Sequence, residues 1–102
     1  MSAVNLTIDT LTAAMKAPAQ DRTGRFMARV RDHIATLPND GARIAFVSNQ
    51  VARWIDLYQA WAYRIDTGTA DELDLRQDAS DYVCTIADLR KLRDDLKQKV
   101  AA

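Results

Sequence analysis

Arg22, Arg25 and Arg29 recur at i, i+3 and i+7, with Arg31 close by. On a helix that spacing lines three guanidinium groups along one face. Each guanidinium is a planar fork of N–H donors that fits phosphate and carboxylate equally. The stretch could therefore hold an anionic metabolite, a nucleic-acid backbone or an acidic protein surface. The plainer alternative is a solvated face whose charges do nothing specific. Nucleic acid is possible but disfavoured as a partner, because the chain is formally neutral and DNA-binding domains are usually basic. The charge is also segregated. Lys16 to Arg43 carries six basic and three acidic residues, while Asp56 to Asp81 carries seven acidic and two basic ones.

Other reactive residues are few. His33, between Asp32 and Ile34, could act as a general base only with a nucleophile or an orienting carboxylate supplied from elsewhere; a structural role is simpler. Cys84 is the one cysteine, which rules out an internal disulfide. A reactive thiol needs a helix N-terminus or a basic neighbour, so in mid-helix Cys84 reads as a small buried apolar residue. One Glu and one His cannot furnish the ligand set of a di-iron bundle or a zinc site. No glycine-rich phosphate loop or nucleophile motif occurs, so neither a metal nor a cofactor is expected. Asp66, Asp71, Glu72, Asp74 and Asp78 crowd one region, where acids suit the positive end of a helix dipole.

The elements that position these residues are helices. Apolar residues make up 48% of the chain, and its two prolines, Pro18 and Pro38, both lie early. The composition predicts one folded all-α domain over residues 1–102. Residues 1–19 read as an arm, flexible or ordered on a partner, with one short helix bearing Ile8, Leu11 and Met15. Three main helices follow at about 21–37, 41–67 and 70–100. Pro38 ends the first, and Asn39 or Asp40 caps the second.

In the second helix Ile44, Val47, Val51, Trp54, Tyr58, Trp61 and Ile65 alternate steps of three and four, the seam of a coiled-coil-like pairing. Gly68 closes it, and Thr69 to Glu72 matches a capping box that starts the third. The short connector makes the second and third helices an antiparallel αα-hairpin. Counting outward from Gly68 sets Leu75 against Trp61, Ala79 against Tyr58, Tyr82 against Trp54, and Arg93 near Asp40. Two Asp and a Ser between Asp78 and Asp81 mark a place where the last helix can break.

These features point first to a non-enzymatic protein–protein interaction module, a small adaptor, chaperone or regulator that self-associates as a homodimer. Its candidate interaction surface is Arg22, Arg25, Arg29, Arg31, Phe46, Leu57 and Tyr63, and Trp54, Tyr58, Trp61 and Tyr82 form a core or self-association seam. The alternatives are a nucleic-acid-binding regulator using the arginine face, and a small helical enzyme acting on an anionic metabolite. No signal-peptide pattern or membrane-length apolar run occurs, and the lone cysteine suits a cytoplasmic home.

Overall fold

Two local stop-and-start signals set the topology. Asn39 is extended, and its side chain accepts the N–H of Ala42 at 2.7 Å, satisfying one of the free donors at a helix start. Arg43 then reaches back over the turn. Its Nε donates to the carbonyl of Ile34 at 2.9 Å, which also accepts the N–H of Leu37, and its Nη2 donates to the carbonyl of Leu37 at 2.8 Å, so one side chain ties the helix end to the turn. At the second signal Gly68 takes φ 71°, and the N–H groups of Gly68 and Thr69 return to the carbonyls of Ile65 and Arg64. This is the left-handed helix ending that glycine adopts without a Cβ clash.

The computed structural model describes residues 8–101, with side chains from residue 22 onward. It is all-α: α1 (Ile8–Ala35), α2 (Asp40–Thr67), α3 (Glu72–Arg76) and α4 (Ala79–Ala101). No helix among the described residues is long and apolar enough to cross a membrane. The most extensive pairing is the α2–α4 hairpin, and α1 lies chiefly along α4 and less along α2. The core is drawn from all three long helices: Met27, Val30 and Ile34 of α1, Val47 and Val51 of α2, and Leu89 of α4. Each fully buried aliphatic side chain contributes about 1.5–3 kcal/mol relative to exposure, which outweighs the modest helix propensity of an Asp-rich sequence.

The helix boundaries differ from the sequence reading in two places. First, α1 starts at Ile8 and is continuous past Pro18, where an arm was expected to join a helix; residues 1–7 of that arm lie outside the described residues. Second, the final limb is two helices rather than one over 70–100; they divide at Gln77, whose backbone is extended, beside the Asp78 to Asp81 stretch where the sequence allows a break. The cause is competition from aspartate caps. Asp71, not Thr69, caps α3: its side chain accepts the N–H of Asp74, while Asp74 accepts the N–H of Asp71. The device repeats at once, as Asp78 accepts the N–H of Ser80 at 2.8 Å and Asp81 accepts the N–H of Asp78 at 2.9 Å.

The break resets the register counted from Gly68. Leu75 is 67% exposed and Ala79 is exposed, so neither packs as a seam residue. Tyr82 is where the hairpin seam begins. At the far end Arg93 does not reach Asp40; it pairs with Asp94 at 3.2 Å, while Asp40 meets Arg43 at 2.8 Å and Lys99 at 4.0 Å.

Candidate functional site

The repeated Asp-x-x-Asp caps also hold helices together. In each pair the second aspartate, already an acceptor in its own cap, takes an arginine from another helix. Asp74 receives Arg64 of α2 in a two-pronged bond, Nε to Oδ2 at 2.7 Å and Nη2 to Oδ1 at 3.0 Å. Asp81 receives Arg22 of α1. The indole Nε1 of Trp61 adds a bond to the carbonyl of Asp74 at 2.9 Å. Asp74 is the one buried residue of α3. The Arg64 hydrogen bonds hold its carboxyl below the usual carboxylate range against the opposing effect of burial, and the N–H of Asp71 assists. Arg64 is correspondingly raised, with its bond to Asp74 as the first cause.

Aromatic rings fill the space beside these clips. Tyr82, buried on α4, lies 6.2 Å from Trp54, 5.7 Å from Tyr58 and 5.3 Å from Trp61 between ring centroids, and Phe26 of α1 lies 5.3 Å from Trp54. These are tilted contacts of the kind aromatic quadrupoles favour. The Tyr82 hydroxyl donates to Oε1 of Gln77 at 2.5 Å. Burial, and then the negative charge of Asp74, push the Tyr82 phenol above its ordinary value of 10.0. Behind the rings the buried hydroxyls of Thr23 and Thr85 hydrogen-bond to each other at 3.0 Å.

A cleft of about 590 Å³ opens where the four helices meet. Its floor is Phe26, Trp54 and Tyr82, with the two threonines; its rim carries Arg22, Arg25 and Arg29 from α1 and Arg76 from α3, with Leu73 and Gln77 on the α3 side. Asp81 is the one acid in the lining, so four arginines against one aspartate leave it with three surplus positive charges. Such a cleft can seat an anionic group with an apolar or planar body. Its hydroxyls are already engaged, Thr85 also donating to the carbonyl of Asp81 at 3.2 Å.

Of the residues singled out from sequence, the cleft brings together Arg22, Arg25, Arg29, Trp54 and Tyr82. Tyr58 and Trp61 pack against Tyr82 without lining the cleft. Arg31, Leu57 and Tyr63 are exposed outside it. Phe46 is half-buried and sits 4.5 Å from the ring of His33, which is itself exposed and away from the cleft. Cys84 is half-buried rather than buried. The arginine partners Asp74 and Asp81, and Arg76 on the rim, were missed. The spacing Asp71, Asp74, Asp78, Asp81 was the available signal, since it writes two helix starts in succession. Among the described residues no cluster of His, Cys, Asp or Glu could hold a metal ion. Against known protein families, curated proteins and solved structures, the chain matches none.

Proposed function

We propose that this protein is a non-enzymatic protein–protein interaction module, a small adaptor or regulator, which docks an acidic, partly apolar segment of a partner protein in the arginine-rimmed cleft. The observation that carries this reading is the convergence of four guanidinium groups and one carboxylate on an aromatic floor. Arginines and aromatics are the side chains that dominate binding at interfaces. Leu73, 66% exposed at the mouth of the cleft, supplies an apolar lip that a partner would cover.

The enzyme reading is less favoured by this site. The threonine hydroxyls are bonded to each other, and His33 is elsewhere, so the lining offers anion donors without a base placed beside a nucleophile. A long nucleic-acid backbone is a poorer fit to a bounded cleft than to an open basic stripe. Self-association belongs to the same proposal: the exposed Leu57, Tyr63 and Leu75 offer contact area, while the seam rings are largely occupied with one another. A reducing compartment such as the cytoplasm suits the lone Cys84.

The test uses a fluorescent synthetic peptide of alternating glutamate and leucine, read by anisotropy against the full chain. Saturable binding that weakens with salt is expected, with a loss of roughly 10-fold or more in the Arg25→Glu, Arg29→Glu double variant. Equal binding by that variant, or equal binding of a lysine–leucine peptide, would remove the cleft from the account.

A further inference from the structure

We infer that the anion seated in this cleft is a phosphate monoester carried on an aromatic ring, the side chain of a phosphorylated tyrosine in the partner segment. The inference rests on the docking reading above and narrows the chemistry of its ligand.

The first argument is a count of acceptors. Arg22 already has a carboxylate, Asp81. Arg25 and Arg29 form no ion pair among the described residues, and Arg76 has only the exposed Glu72 at 3.8 Å. Three forks, from α1 and α3, are thus presented to one cleft. A carboxylate brings two oxygens and one charge, so it satisfies one fork in the bidentate manner. A phosphate monoester brings three terminal oxygens and a charge of about −1.5 to −2 at neutral pH. It can take donors from several arginines at once and comes closer to neutralising the surplus of three positive charges in the lining, four arginines less Asp81.

The second argument is the floor. Phe26 and Trp54 are half-buried, so their exposed edges and faces are available between the arginines. A planar ring can lie against them in the tilted geometry that Phe26 and Trp54 already adopt with each other. A phosphorylated serine has no ring to offer and would leave this surface wet. The volume, about 590 Å³, lies within the range of about 300–1,000 Å³ typical of small-ligand clefts, which is room enough for a phosphorylated phenol ring.

The experiment titrates the full chain calorimetrically with acetyl-Glu-Glu-X-Leu-Glu-amide, where X is phosphotyrosine, phosphoserine, tyrosine or glutamate; phenyl phosphate and adenosine monophosphate are added as free competitors. The phosphotyrosine peptide is expected to bind about 10-fold or more tighter than the other three. Phenyl phosphate should displace it. The advantage should shrink as pH falls below the second phosphate pKa of about 6, and should vanish in Arg25→Gln, Arg29→Gln and in Arg76→Gln with the helical circular dichroism unchanged. Equal affinity for the glutamate and phosphotyrosine peptides would overturn the phosphate while leaving acidic docking intact. Tighter binding of adenosine monophosphate than of the phosphopeptide would overturn the protein-borne source. Binding by none of the peptides would overturn the docking reading itself.

Discussion

Arg64 grips Asp74 with two nitrogens, at 2.7 and 3.0 Å, across ten residues of chain. This bond, rather than apolar burial, attaches α3 to the hairpin: Asp74 is buried, while the two leucines of that helix, Leu73 and Leu75, face solvent. A short helix held by one carboxylate, with the Trp61 indole on the carbonyl of the same residue, places Leu73 and Arg76 at the cleft. Asp74→Ala should remove the ion pair and the returning bond of the capping box together, while Asp71 still accepts the backbone N–H of residue 74, and should lower the melting temperature more than Asp74→Asn, whose amide oxygen can still accept the N–H of Asp71. Thermal unfolding followed by circular dichroism decides it; equal melting temperatures would mean the bond to Arg64 matters and the returning bond to Asp71 does not.

The same residue sets an acid limit. Its folded pKa lies below the ordinary 3.8, so in acid the unfolded chain binds the proton before the native chain does. The stabilisation is complete above the ordinary pKa and is lost as pH falls through the depressed one. Denaturant titrations should show stability falling below about pH 4, with a shallower slope in Asp74→Asn. At the alkaline end the raised phenol of Tyr82 acts in the opposite sense: stability is kept below pH 10.0 and lost as pH rises through the folded value. Tyr82→Phe should abolish a tyrosinate absorbance step displaced to high pH.

The buried hydroxyls of Thr23 and Thr85 are coupled across 62 residues of chain. Thr85→Val strands the Thr23 hydroxyl and should cost about 1–3 kcal/mol. Thr23→Val costs less, because Thr85 keeps the carbonyl of Asp81. The double variant should be more stable than the sum of the two losses implies, by about 1 kcal/mol. A double-mutant cycle by urea unfolding measures this, and additivity would show the pair to be independent.

Packing divides the leucines in the same way. Leu89, wholly buried among three helices, should lose about 2–5 kcal/mol on substitution by alanine. Leu75→Ala should change stability by no more than about 0.5 kcal/mol, although both residues fall in one continuous heptad rhythm.

That rhythm shows what could be read from the chain and what could not. The α2 seam from Ile44 to Trp61, the Asn39 start and the Gly68 stop are each legible in the sequence; Ile65, the last position of the seam rhythm, is exposed. Leu75 and Ala79 continue the spacing of Tyr82 and Ile86, but the aspartate caps at Asp71 and Asp78 terminate one helix and begin another, and local hydrogen bonding wins over periodicity. Proline's local preference at Pro18 misled in the other direction. The arginine face of α1 was visible as spacing. Its convergence with Arg76, Trp54 and Tyr82 depends on how α3 folds back, where Arg64–Asp74 ties α3 to α2, and on how α1 lies against α4, where Arg22–Asp81 joins them. Leu57 and Tyr63 lie off the seam of α2 and are exposed, yet outside the cleft; spacing within one helix does not determine which residues of another helix share its face.

The most direct test of cleft docking is nuclear magnetic resonance of the isotope-labelled chain titrated with the glutamate–leucine peptide. The side-chain N–H signals of Arg25, Arg29 and Arg76 and the indole N–H of Trp54 should shift together and saturate together, while those of Arg53 and Arg90 stay in place. Shifts confined to Arg53, Arg90 or the surroundings of Tyr63, with the cleft signals unmoved, would contradict the account.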